Sequence, residues 1–160
     1  MAEPGRAFLV ALLTSLLAAF LLHFWPLRGD LGYWRPMVVF LAVIYWLMRE
    51  PHQLGLGFAW FAGLALDVLA DGILGQRALG LLVCAYLLQL AGERFRHFSL
   101  WHQLLVIVPL ALIFQLVVIV VSLLGGREGD TWRMFYPVLT TIPLWPLLAG
   151  LLNRLYRPRG

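Results

Sequence analysis

Apolar residues run along this chain in long blocks, with polar residues gathered in short intervals between them. Six blocks stand out, at residues 7–25, 34–48, 54–70, 78–92, 101–124 and 131–152. A helix needs roughly 20 apolar residues to cross a hydrocarbon core about 30 Å thick, and several blocks approach or exceed that length. The intervals are about five to ten residues long, too short for an extramembrane domain to fold in any of them. Inside lipid each span has to satisfy its own backbone hydrogen bonds. The pattern therefore predicts one all-α integral membrane domain over residues 1–160, built as a bundle of six transmembrane helices. The second and fourth blocks are short, so their helices are expected to start below the interface, run into the flanking loops or thin the bilayer locally.

Composition agrees with the pattern and excludes a soluble domain: 62% of the 160 residues are hydrophobic and 12% charged. The first block follows Arg6 and resembles a signal peptide. It lacks a small-x-small cleavage site and further spans follow, so it reads as a retained signal anchor. All 12 basic residues are arginines and the net charge is +4. They are spread too thinly for nucleic-acid binding and suit lipid headgroups. With a cytoplasmic N-terminus, that side carries Arg6, Arg49, Arg94, Arg96, Arg154, Arg157 and Arg159, against Arg28, Arg35, Arg77, Arg127 and Arg133 opposite. The seven-to-five bias places both termini in the cytoplasm. Trp25, Trp34, Trp101 and Trp132 fall near block ends, where an indole settles among headgroups. Pro109 interrupts the fifth block, and Pro137, Pro143 and Pro146 the sixth. A kink is expected in the sixth helix unless it begins later than residue 131.

One acid stands inside an apolar block. In the third, Gly55, Ala59, Gly63 and Asp67 recur every four residues, a stripe that turns small residues and a carboxyl towards one side of a helix. Small residues let a neighbouring backbone approach, so Asp67 is expected to face protein rather than lipid. A charged Asp at mid-bilayer costs on the order of 2.5 to 3.5 kcal/mol on insertion scales, less near a span end. Asp67 lies about one turn before the turn signal Asp71-Gly72. A helix C-terminus disfavours a carboxylate, so a donor or a shared proton is expected there. Three readings are open: a tie from the third helix to its neighbours or to the loop of Arg77, a contact with a partner membrane protein, or a proton or substrate relay. A relay needs further buried titratable groups, and the spans offer only Gln89 and Gln115.

Catalysis and metal binding find little support. No Ser-x-x-Lys, His-Glu-x-x-His, Gly-x-Ser-x-Gly or phosphate-loop pattern appears. Glu93, His97 and His102 belong to a solvated loop, and the five-residue gap between the histidines does not align them on one helical face. His23 and His52 read as interfacial residues, and Cys84 as a small buried apolar one. No cofactor is expected.

The string RPMVVFLAVIYWLMREPH, followed by GFAWFAGLALDVLADGILGQRALG and AYL, resembles the rod shape-determining protein MreD family of bacteria. The matching positions are Arg35-Pro36, Tyr45-Trp46, Pro51-His52, Gly57-Phe58, Gly63, Asp67, Leu74-Gly75, Arg77 and Ala85-Tyr86. LWHQLLV before the fifth block and the late LWPLL match as well. The resemblance covers nearly the whole chain, and the first block and GGREGDTWR carry little of it.

The resemblance implies a non-catalytic inner-membrane component of the machinery that keeps rod-shaped cells rod-shaped. It implies association with MreC and, in the same complex, with MreB, RodZ, RodA and the penicillin-binding transpeptidase of RodA. The family is similar in fold to the six-helix substrate-binding components of energy-coupling-factor vitamin transporters. A scaffold is thus the leading reading, with vitamin-like ligand binding as the alternative and lipid flipping a third that sparse buried charge disfavours. Asp67, Gly63, Gly57, Gly75 and Arg77 are the candidates for helix packing or partner contact. Arg35, Pro36, Tyr45 and Trp46 are expected to set the second helix and its periplasmic entrance. A second copy could meet the chain across a small-residue face.

Overall fold

The computed structural model describes residues 4–26, 28–92, 94 and 97–156. Glu93, Arg96, Arg157 and Arg159, which entered the sequence reading, lie outside the described residues. Among those described, six α-helices follow one another: α1 (Pro4–His23), α2 (Val38–Arg49), α3 (Leu56–Leu69), α4 (Gln76–Ala91), α5 (Leu100–Leu124) and α6 (Tyr136–Leu155). Short 3-10 helices, Gly29–Trp34 and Arg133–Phe135, precede α2 and α6. The chain is an all-α membrane protein.

Successive helices run up and down and give the bundle two ends. One end gathers the start of α1, the end of α6, the C-terminal end of α2 and the start of α5. The other gathers the end of α1, the first 3-10 helix, the α3–α4 turn and the residues between α5 and α6.

The centre of the bundle is α2. Residues 38–47 are all buried, so this helix is apolar on every side because protein surrounds it on every side. Phe40 meets Phe114 of α5 with ring centres 5.0 Å apart, and Trp46 meets Phe8 of α1 at 5.5 Å. Tyr45 faces Trp145 of α6 at 6.4 Å. Lipid tails are as apolar as leucine, so burial away from lipid contributes little by itself. Packing density and hydrogen bonds between helices have to hold α2 in place. Along α1, Leu9, Leu13, Leu17 and Leu21 stay exposed on a flank suited to lipid or to another helix.

Among the described residues, four stretches are long and apolar enough to cross a membrane: Gly5–His23, Gly29–Arg49, Leu100–Leu124 and Arg133–Leu155. The α2 helix is itself short at 12 residues, as expected of the second block, and the 3-10 turn before it carries the apolar stretch to the length of a span. The α3 and α4 helices are short as well, with 14 and 16 residues. At 1.5 Å per residue they reach only about 21 and 24 Å.

The sixth helix begins at Tyr136, later than residue 131, which puts Pro137 in the first turn, where its missing N–H would have had no helical partner. Pro143 and Pro146 remain inside and withhold donors from the carbonyls of Leu139 and Ile142. Cys84 is buried on α4 and directs its thiol to the Leu110 carbonyl of α5 at 3.3 Å.

Candidate functional site

The α3–α4 hairpin answers the question posed by Asp67. Antiparallel pairing over a six-residue turn brings the last turn of α3 beside the first turn of α4. The Asp67 carboxylate accepts backbone N–H bonds from Gly75 (3.0 Å, Oδ2), Arg77 (3.0 Å to Oδ1 and 3.1 Å to Oδ2) and Ala78 (3.2 Å, Oδ2). Those donors are the open N–H groups of the start of α4. Gly75 occupies the N-cap position and has no side chain to serve them, so an acid on the preceding helix caps α4 instead. The α3 C-terminus repels the carboxylate and the α4 N-terminus attracts it. Attraction wins, because the N–H groups are in direct contact with the charge. Arg77 adds its guanidinium, Nη1 lying 3.6 Å from Oδ1, too far for a hydrogen bond.

The hairpin closes because three glycines permit it, each in its own way. On α3, Ala59, Gly63 and Asp67 are buried. A Cβ on Gly63 would run into the Ala78 backbone, standing 2.7 Å from its N. Gly75 has φ +92°, a conformation that side chains rarely adopt, and it aims its N–H at Asp67. Gly72 leaves room for Arg77, whose Nη1 would be 3.0 Å from a Cβ placed there. Gly57 differs: nothing lies within 4 Å of its missing Cβ, so packing inside the chain does not require a glycine there. Since α4 covers the Gly63 face, a second copy would have to meet the chain elsewhere.

Arg35 and Pro36 form the break between the first 3-10 helix and α2. Proline pushes the residue before it into extended backbone, and Arg35 has φ −66° and ψ 116°. Met37 then bends the chain in a tight turn, with Val38 N–H donating to the Pro36 carbonyl at 2.9 Å, while its own N–H donates to Thr141 Oγ1 on α6 at 3.0 Å. Tyr45 and Trp46 lie at the other end of α2, away from the Arg35 entrance. Tyr45 donates its hydroxyl to Asn153 Oδ1 of α6 at 2.8 Å, and Trp46 Nε1 donates to Ser15 Oγ of α1 at 2.8 Å. Tyr45→Phe keeps the ring and removes the donor, so it should cost on the order of 1 kcal/mol. Thermal unfolding in detergent checks this, with Trp46→Phe expected to cost somewhat more through lost ring area.

Between the two halves of the bundle, at the Asp67 end, lies a cavity of about 680 Å³. Its depths are apolar, with Val39, Phe40, Leu66, Phe114 and Val118, and its polar lining includes Gln76, Gln115 and Ser122. Around it stand Arg35, Arg77, Arg127 and Arg133, with His23. Gln76 is satisfied by the Val118 carbonyl (3.2 Å) and Ser122 Oγ (2.8 Å), which ties α4 to α5.

The structure thus brings Asp67, Gly63, Gly75 and Arg77 into one hairpin, sets Arg35 and Pro36 near the cavity, and leaves Tyr45, Trp46 and Gly57 towards the other end. Sequence reasoning missed Ala78 as the wall against Gly63, Gln76 as the α4–α5 tie, and Arg127 and Arg133 as cavity residues. A helix start at Gly75 with no capping side chain of its own was the available signal for the Asp67 contact. Among the described residues, no group of three or more His, Cys, Asp or Glu side chains could hold a metal ion.

Comparison with known proteins places these features. No solved structure matches the chain. The chain is 25% identical over 146 residues to the rod shape-determining protein MreD of Haemophilus influenzae, covering 91% of this chain and 90% of that protein. The family of rod shape-determining protein MreD matches residues 5–155, from the start of α1 to the end of α6, and the chain belongs to that family.

Proposed function

We propose that this rod shape-determining protein is a non-catalytic scaffold of the inner membrane, which binds MreC and helps position the peptidoglycan synthases of the elongation complex. RodA with its penicillin-binding transpeptidase, MreB and RodZ belong to the same assembly, reached through MreC. One observation carries this reading: the family match spans nearly all of a chain whose described residues are apolar helices and short connections. Helix flanks are then the main surfaces through which such a chain can act. Asp67, Gly63, Gly75 and Arg77 serve indirectly, by holding α3 and α4 together. Gly57, with open space beside it, and Arg35, at the entrance to α2, remain available to a partner.

Both termini lie in the cytoplasm in this reading. Of the five arginines on the opposite side, four surround the cavity rather than standing as free loop charges, which strengthens the cytoplasmic bias of the remainder. Depletion in a rod-shaped cell is expected to produce rounding, seen by microscopy, and tagged protein should recover MreC from detergent extracts. Normal shape with a vitamin requirement would favour small-molecule uptake instead, a reading for which the cavity is the supporting observation.

A further inference from the structure

We propose that the cavity between the α3–α4 turn, α5 and the first 3-10 helix binds the phosphate-bearing headgroup of an anionic phospholipid. Arg35 and Arg127 supply the positive charge and Gln115 a polar anchor on the cavity wall.

The charges around the cavity are not equivalent. Arg77 is held by Asp67, and Arg133 is shared between Asp130 at 3.1 Å and Asp30 at 3.8 Å and lies over the Tyr33 ring at 5.5 Å. Arg127 makes only a neutral contact, donating from Nη2 to the Asp71 carbonyl at 3.2 Å. Arg35 has no carboxylate partner among the described residues, and its Nε is buried without a hydrogen bond. His23 Nδ1 is likewise buried without a partner. Asp71 and Glu128 also line the cavity, and neither forms an ion pair with Arg35 or Arg127. Two arginines are therefore left with charge to offer.

Gln115 makes the same point from inside the membrane. It is 7% exposed and lines the cavity from the middle of α5, and its side-chain amide has no hydrogen-bond partner among the described residues. That amide opens into the cavity, so a polar ligand there would meet an unused donor and acceptor. Gln76, one helix away, commits its Nε2 to the Val118 carbonyl and Ser122 Oγ, whereas Gln115 makes no such tie.

Size and polarity select the ligand. About 680 Å³ is far more than an inorganic anion needs. The apolar depths formed by Phe40, Leu66, Phe114 and Val118 suit hydrocarbon, while the cationic groups suit phosphate oxygens. Leu69, which lines the cavity, is also exposed on the apolar flank of α3, where alkyl chains could lie against it. A molecule with one anionic phosphate and attached alkyl chains meets all of these demands at once.

The proposal concerns the isolated chain and does not depend on MreC, so its failure leaves the scaffold reading untouched. The protein purified in mild detergent is analysed by native mass spectrometry, and its thermal midpoint is measured with added phosphatidylglycerol, phosphatidylcholine or inorganic phosphate. Phosphatidylglycerol is expected to stay bound and to raise the midpoint, phosphatidylcholine to do so less. The Arg35→Gln/Arg127→Gln double variant should weaken phosphatidylglycerol binding by tenfold or more. Gln115→Leu, which keeps every charge, should weaken it several-fold, and Arg6→Gln at the other end should leave it unchanged. Far-ultraviolet circular dichroism verifies that each variant is folded. Equal phosphatidylglycerol binding by the wild type and the double variant overturns the proposal. So does stabilisation by inorganic phosphate without retention of any lipid, which would mark a site for a free anion.

Discussion

Asp67→Leu is expected to be the most damaging single side-chain change at the α3–α4 turn, costing on the order of 3 kcal/mol or more by leaving buried donors without an acceptor. The substitution strips three backbone N–H groups at the start of α4 of their common carboxylate. It also leaves the Arg77 charge without its partner. The backbone share should dominate. The N–H contacts are 3.0–3.2 Å and buried, whereas the guanidinium stands at 3.6 Å with its side chain 25% exposed, a geometry in which ion pairs contribute about 1 kcal/mol or less. Arg77→Leu is accordingly expected to cost far less than Asp67→Leu. Asp67→Asn, which keeps one acceptor oxygen, should fall between them. Thermal unfolding of the three variants in one detergent gives the order, and recovery of MreC should fall in parallel. An Arg77→Leu loss as large as that of Asp67→Leu would return the guanidinium to the central role.

That ordering also marks where the sequence is legible. The stripe of Ala59, Gly63 and Asp67, the turn at Asp71-Gly72 and the missing donor at a helix end can all be read from residue spacing. Arg77 was the visible candidate for the donor because side chains are what a sequence displays. The main donors are backbone N–H groups, which every non-proline residue carries and which become a site only when a helix begins beside them. Gly57 has no packing role inside the chain. It entered through the family resemblance and not through the four-residue stripe, and only the neighbouring helices decide whether a small residue is needed at a given position.

The cavity was less legible still, because its residues come from positions as separated as 23, 35, 77, 115, 127 and 133. Apart from Gln115, inside the fifth block, each read singly as an interfacial or loop residue. Their convergence follows from the up-and-down order of the helices and from α3 and α4 being shorter than α1, α5 and α6. Element lengths were legible only in part. The second block gained length from a 3-10 turn, and the third lost it because Gly55 and Ala70 act as caps rather than as helix interior.

Gly63→Leu is expected to exceed ordinary overpacking, which costs about 1–3 kcal/mol, because the obstacle is backbone and cannot rotate aside. A Cβ at position 63 meets the Ala78 N at 2.7 Å and the Arg77 carbonyl carbon at 3.0 Å, so α3 and α4 have to separate. Separation draws Asp67, one helical turn further on, away from the N–H groups it caps. The two positions then report on a single contact, and the double variant Gly63→Leu/Asp67→Leu should cost clearly less than the two single changes added together. Gly80→Ala tests the reasoning on the opposite side of α4. Its Cβ would meet the Phe114 ring at 2.7 Å, and a side chain can shift where a backbone cannot, so a smaller loss is expected. Gly57→Ala meets open space and gains helix propensity, up to about 1 kcal/mol, so it should be neutral or slightly stabilising to the isolated protein. Because Gly57 remains available to a partner, a fall in MreC recovery with unchanged stability would assign it a contact. Thermal midpoints in the order Gly57→Ala, Gly80→Ala, Gly63→Leu, from highest to lowest, are the expected result. Full additivity of the Gly63 and Asp67 losses would show that the close approach and the cap are independent.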